Sequence, residues 1–220
     1  MFHVKHQAGG LICVSRETVT RDEFRAATGV AEGACDRISL YLDLLEKWQA
    51  RVNLVGLSTM ADPWRRHVLD SAQLLPLLPD GPGPVVDMGA GAGVPGLILA
   101  ACGVSDIHLI ESNRRKCTFL REAARLMGTP VTVHAQRVDA VTLDGPARVV
   151  TARALAPLGT LLNHAMRFRG PDTRCLFLKG QDVVIELTNA AKSWNMRHRL
   201  VDSLSDPSGH IVVVEAFDHV

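Results

Sequence analysis

The sequence predicts an α/β fold: a doubly wound, mostly parallel seven-stranded sheet with an N-terminal helical extension and a C-terminal antiparallel hairpin. Three observations predict it. The first third of the chain carries helical periodicity and no strand signal. After the breaker-rich run Pro79-Asp80-Gly81-Pro82-Gly83-Pro84, short β-branched runs alternate with helical stretches. The alternation then ends in two consecutive strand signals joined by a turn. A length of 220 residues suffices for one such domain plus an appendage. The resulting division is an arm at 1–17, open to disorder, a helical subdomain at 18–82 and a sheet domain at 83–220.

The elements follow in order. Thr20-Arg21-Asp22-Glu23 is a capping box, so a helix should start there and stop near Gly29. Ile38, Tyr41, Leu45, Trp48 and Val52 recur at three and four, and Leu42 and Leu44 widen the stripe, which predicts a helix over about 34–51. A third helix is expected over 63–77, opened by Pro63, with Val68, Ala72 and Leu75 on one face. Strands are expected at 84–88, 107–111, 131–135, 147–152 and 174–179. Helices are expected at 95–103, 113–127, 157–167 and 181–195. Arg199 to Leu204, the turn Asp206-Pro207-Ser208-Gly209 and Ile211 to Phe217 complete the hairpin.

Composition narrows the function. The formal net charge is +1, so attraction to nucleic acid must be local, not global. Five scattered cysteines without a C-x-x-C fit free thiols in a reducing compartment. The nine histidines show no metal-ligand spacing, so no metal is expected. The four-residue apolar run Leu11 to Val14 is too short for a signal core or a membrane span. A cytoplasmic location and no membrane partner are the expectation.

The chemistry concentrates in Val85-Val86-Asp87-Met88-Gly89-Ala90-Gly91-Ala92-Gly93-Val94-Pro95-Gly96. This reads as strand, glycine loop and helix start, where backbone can approach a ligand closely. Glu111 lies twenty residues beyond Gly91, at the end of the next strand signal, where a ribose diol would be held. Gly91-x-Gly93-x-x-Gly96 also satisfies the dinucleotide fingerprint, which would suit a nicotinamide-dependent oxidoreductase. Asp87 argues against that reading, because a strand-tip carboxylate would repel a pyrophosphate and suit a cationic ligand. Asp87, Gly89, Gly91, Gly93 and Glu111 are therefore candidate cofactor-binding residues. The Asp-x-Gly-x-Gly pattern with its distant acid resembles the first motif of class I methyltransferases, a Rossmann-like fold that uses S-adenosyl-L-methionine.

Further segments narrow the resemblance. Asn53-Leu54, Arg66-His67-x-x-Asp70-Ser71, the Gly-x-Pro-Gly96 ending of the loop, Glu111-Ser112 with Lys116 and Phe119-Leu120, Arg137-Val138-Asp139, Ala152-Arg153-Ala154 and Lys179-Gly180-Gln181 together resemble the bacterial RsmG (GidB) family from about residue 36 onward. The resemblance implies methyl transfer from S-adenosylmethionine to N7 of one guanine in 16S rRNA, within a small-subunit ribosomal particle. It implies cofactor contacts at Gly89, Val94, Val138, Asp139 and Arg153. The sequence departs from the family at Val94, Val55, Asp139 and Thr151-Ala152, none of which removes a required charge.

Guanine N7 carries a lone pair and no proton, so the implied reaction needs alignment and no general base. No catalytic side chain is therefore expected. RNA needs local positive surface. Candidates are Arg66 and His67 at the third helix, Arg115 and Lys116 after Glu111, and Lys179 at the end of the fifth strand. Asn53 is a further candidate against the target base, with a helix C-terminal cap as its other reading. His67 has a second reading, a core histidine capped by Asp70. Arg121 and Arg125 read first as a solvated helix face. Another methyl acceptor, a small molecule or a protein, stays open at this point.

Overall fold

The computed structural model describes residues 18–220, and the expectation for the arm at 1–17 lies outside the described residues. The strands are β1 (Val85–Met88), β2 (Ile107–Ile110), β3 (Val131–His134), β4 (Val149–Arg153), β5 (Arg174–Lys179), β6 (Trp194–Asp202) and β7 (His210–His219). They form one sheet in the order β3-β2-β1-β4-β5-β7-β6. β1 to β5 pair in parallel, and β7 runs antiparallel to both β5 and β6. Chain order reverses between β1 and β4, which opens a crevice beyond the carboxyl ends of those strands.

The helices cover both faces. They are α1 (Arg21–Thr28), α2 (Glu32–Gln49), α3 (Asp70–Ala72), α4 (Gly96–Ala101), α5 (Arg114–Met127), α6 (Leu158–Ala165) and α7 (Val183–Ala190). Strand residues alternate between two cores, as a period of two requires. Val85, Leu109, Val149, Leu176 and Val213 pack with α1, α2, α4 and α5. Val86, Met88, Ile110, Val150, Phe177 and Val212 pack with α6 and α7. Phe24, Ile38, Tyr41 and Leu45 of α1 and α2 are fully buried in the first of these cores. The proline-glycine run near residue 82 is thus a break in rhythm across which packing is continuous.

Local signals explain most boundaries. Thr20 caps α1 with the reciprocal Glu23 bond, and Gly29 closes it in the left-handed region at φ 67°. Asn113 caps α5, its side chain accepting from the Arg115 and Lys116 N–H groups. Two expectations are corrected. The regular helix over 63–77 is a π-helical stretch, Trp64–Leu69, running into α3 and then a 3₁₀ turn, Leu75–Leu77. Its Asp70 N–H reaches back five residues to Arg65 O. The helix expected to 195 ends at Ala190, and β6 begins at Trp194, whose ring packs on Phe217 and His219 of β7. Among the described residues no helix is long and apolar enough to cross a membrane.

Candidate active site

The loop after β1 is held from three sides by its own chain. Asp87 is 1% exposed. Its Oδ2 accepts from Gly96 N at 3.0 Å and its Oδ1 meets Thr151 Oγ1 of β4 at 3.0 Å. Burial pushes this carboxyl up to about 7. The expectation that Asp87 faces a cationic ligand is therefore corrected: it pins the start of α4 to the sheet. Gly96 must lack a side chain here, since a Cβ would lie 2.9 Å from Asp87 Oδ2 and run into Leu109. From the helical extension, Tyr41 Oη donates to Ala92 O at 2.9 Å. From β2, Glu111 Oε2 accepts from Gly91 N at 3.1 Å, while Oε1 accepts from Asn113 N at 2.7 Å.

Tyr41 was legible only as part of an apolar stripe, and nothing in the sequence marks its hydroxyl as a loop anchor. Tyr41→Phe leaves the buried Ala92 carbonyl without this donor. The expected loss is about 1–2 kcal/mol of unfolding free energy. Urea titration at constant pH checks it; an unchanged midpoint would mean that the carbonyl finds another donor.

Four of the loop's N–H groups are already engaged within the chain. Ala90 N donates to Ile110 O, Gly93 N to Ala90 O, Gly91 N to Glu111 and Gly96 N to Asp87. A pyrophosphate needs such donors free at a helix start. The amides of Gly91, Gly93 and Gly96, the fingerprint glycines, are thus not offered to a pyrophosphate, which counts against the dinucleotide reading. What the strand ends offer is acceptors. Glu111 stands at the tip of β2, and Asp139, exposed and 3.4 Å from Arg137, stands in the 3₁₀ turn Val138–Ala140 after β3. Such a set fits a diol and an exocyclic amine, the donors of an adenosine moiety, so the residues present suit S-adenosylmethionine.

The other loop candidates divide. Gly89 (φ 67°) and Gly91 (φ 54°) take left-handed backbone that favours glycine. Gly93 faces inward, where a Cβ would collide with Leu97. Val94 is 8% exposed and belongs to the core under the loop, which corrects the idea that its side chain lines an adenine ring. Val138 is buried against the α6 side of the sheet, leaving its backbone as the part able to meet a ligand.

A second polar cluster sits at the tip of β4. Arg153 Nε lies 3.2 Å from Asp70 Oδ2, and its Nη2 is 3.4 Å from His67 Nδ1. Asp70 also accepts from Ser205 Oγ in the β6–β7 turn and from Gln73 Nε2. His67 is fully buried, its Nε2 on Thr59 Oγ1, and burial lowers its pKa to about 3. His67 is thus a neutral core group, held by Thr59 and Arg153 and not by Asp70, and it cannot meet RNA. Arg153, expected against the cofactor, instead ties the helical extension to the sheet, and its Nη1 is buried without a partner among the described residues. Ala154, next in the chain, holds φ 50°, a strained value for a residue with a Cβ.

Lys179 is corrected too. Its side chain is 9% exposed, and Nζ is bound to Glu186 Oε2 at 2.6 Å and Ala156 O at 2.9 Å, so it is not offered to a phosphate. Arg66 pairs with Asp206 at 2.7 Å and stays partly exposed. Arg66, Asp70, Arg153, Lys179 and Asp206 line a groove of about 370 Å³ beyond β4 and β5. Asn53 is exposed after α2, near Gln49, which bonds the turn through Leu54 N and Val55 N. Arg115 is exposed and Lys116 half-buried at the start of α5, one turn from Glu111.

The family described as rRNA small subunit methyltransferase G matches residues 34–212. A ribosomal RNA small subunit methyltransferase G of Paramagnetospirillum magneticum is 51% identical over 191 residues, covering 87% of this chain and 93% of its own. One from Granulibacter bethesdensis is 42% identical over 220 residues, all of both chains. Among solved structures, a TehB-like SAM-dependent methyltransferase from Corynebacterium glutamicum superposes with a TM-score of 0.55 at 12% identity, covering 81% of this chain and 98% of that one. M. jannaschii TYW2 in complex with AdoMet gives 0.53 at 17% identity, covering 78% and 80%. At such identities the structural likeness speaks to the fold, which is that of class I methyltransferases.

Proposed function

The chain belongs to the rRNA small subunit methyltransferase G family, and from that membership we propose that it methylates N7 of one guanine in 16S rRNA, using S-adenosylmethionine. The single observation that carries the cofactor is the loop whose fingerprint glycine N–H groups are bound within the chain while carboxylates stand at the tips beside it. When bound, S-adenosylmethionine supplies an electrophilic methyl group on a sulfonium. Everything else falls to the chain. Glu111 and Asp139 hold the ribose diol and the adenine amine as acceptors. The anchored loop at Gly89 to Gly93 lets backbone lie close to the methionyl part.

The acceptor enters by the groove at β4 and β5, on the far side of the crevice from Glu111. No proton leaves N7, so these walls orient the base in line with the methyl carbon, and no side chain need act as a base. Exposed Arg115 and Asn53, with partly exposed Arg66 and Lys116, supply contacts for RNA around the mouth. The substrate is the small-subunit RNA within a ribosomal particle, and the protein acts in the cytoplasm.

The test is transfer of labelled methyl from S-adenosylmethionine to small-subunit RNA or particles from cells lacking this gene. Label at one guanine, mapped as N7-methylguanine, is the expected result. Folded protein that binds S-adenosylhomocysteine and labels neither RNA nor particle would overturn the acceptor. Glu111→Gln offers one oxygen where two N–H groups and a diol now share two. It should weaken S-adenosylhomocysteine binding about tenfold or more while leaving the fold intact. Calorimetric titration checks it, and unaltered affinity would remove Glu111 from the cofactor site.

A further inference from the structure

Most arginines described in this protein are tied down. Arg21, Arg66, Arg153, Arg169 and Arg197 meet carboxylates, and Arg37, Arg148 and Arg167 meet backbone carbonyls. Helix α5 holds the largest group that is not tied down. Arg114, Arg115, Lys116 and Arg125 make no ion pair or hydrogen bond through their side chains among the described residues, and Arg121 makes only a long bond, 3.4 Å, to Val133 O. Glu122, the helix's one acid, pairs with none of them. Arg114, Arg121 and Arg125 fall at i, i+7 and i+11, one exposed stripe of the helix. Self-repulsion along such a stripe, and cations at a helix start, cost stability unless an anion pays for them.

The stripe leads somewhere. Its upper end lies beside Glu111, whose carboxylate holds the cofactor loop. Its lower end opens on a groove of about 530 Å³, lined by Arg121, Arg125, Gly128, Pro130, Val131 and Val133, along the open outer edge of β3. Apolar floor with arginines on the rim is a surface that fits a polyanion with flat, weakly polar bases, which is RNA.

We propose that an RNA strand runs along α5, from the cofactor mouth to the groove at the β3 edge, with Arg121 and Arg125 gripping backbone phosphates remote from the reacting base. This rests on the rRNA reading above and extends the RNA footprint beyond the crevice. The distal pair contributes affinity and register and leaves chemistry at the bound base untouched.

The test is the double variant Arg121→Gln/Arg125→Gln on the full chain, with Lys47→Gln/Arg199→Gln as a control of equal charge change elsewhere. Binding to small-subunit RNA is measured across a salt series. The α5 variant should bind about tenfold more weakly at low salt, and its slope of log affinity against log salt should be smaller by about 1.4, two single-strand phosphates. Its S-adenosylhomocysteine affinity, melting temperature and kcat at saturating RNA should match wild type, with the loss falling in KM. Arg121→Lys/Arg125→Lys should recover most of the slope. An unchanged slope, or an equal loss in the control, would overturn the track. Failure of the underlying reading looks different, since wild type itself would then label no RNA.

Discussion

Asp87→Ala is expected to lose about 3 kcal/mol of stability and, with it, cofactor binding, whereas Asp87→Asn keeps both. Alanine removes the acceptor of Gly96 N–H and the partner of Thr151 Oγ1 and leaves a small void in a fully buried site. Asparagine satisfies the same groups. Its oxygen accepts from Gly96, its amide donates to Thr151, and Thr151 turns its own proton to Val86 O, 3.4 Å away. Urea unfolding and S-adenosylhomocysteine titration of both variants check this. An alanine variant of wild-type stability that merely lost ligand would restore the carboxylate to a direct role at the cofactor.

The same pair of variants exposes a pH dependence. Burial raises the folded-state pKa of Asp87 to about 7, above the value of 3.8 for an ordinary aspartate. Between these two values the folded protein holds a proton that the unfolded chain has released. The contribution of Asp87 to stability is therefore fully present below about pH 4 and declines as pH rises through 7, then levels off. Asp87→Asn lacks that decline. The stability difference between wild type and Asp87→Asn should shift in favour of the variant as pH rises from 4 to 7. A difference flat across that range would show that the carboxyl is charged in the fold throughout.

Asp87 also shows where sequence reading reached its limit. Its position at a strand tip was legible, because β-branched residues and a glycine loop fix where the strand ends. Its direction was not read, although the signal was there. Val85 and Asp87 share a strand face by period two, and that face is covered by α4. In a sheet wrapped on both sides, a charged residue on a covered face is structural unless a gap lies above it. Lys179 misled in the same way. A lysine before a glycine at a strand end suggests exposure, but its carboxylate partner, Glu186, sits in the next helix. That contact depends on how α7 packs, which no local pattern records. Elements with strong local chemistry were the readable ones, as with Thr20 and Gly29 around α1. The alternation Trp194, Met196, His198, Leu200 marks β6 equally well. The alanine pair at 190–191 masked it, because alanine favours helix without requiring it.

Arg153→Ala is expected to be the second damaging substitution, for a reason that the family resemblance does not supply. Asp70 is half-buried, and Arg153 is the cation that offsets the cost of holding its carboxylate there. Removing one partner of a largely desolvated pair costs about 3 kcal/mol, because the other charge stays behind. It also frees His67 on the side away from Thr59 and loosens the junction of the helical extension, β4 and the β6–β7 turn. Asp70→Asn removes that stranded charge. The double variant Arg153→Ala/Asp70→Asn should therefore regain most of the loss, and the coupling between the two changes should be large in urea unfolding. This separates two roles that a single substitution confounds. If the double variant is stable and binds S-adenosylhomocysteine as wild type does, Arg153 acts as a structural tie. If it is stable and binds weakly, the buried Nη1 that lacks a partner here is the atom that reaches the ligand.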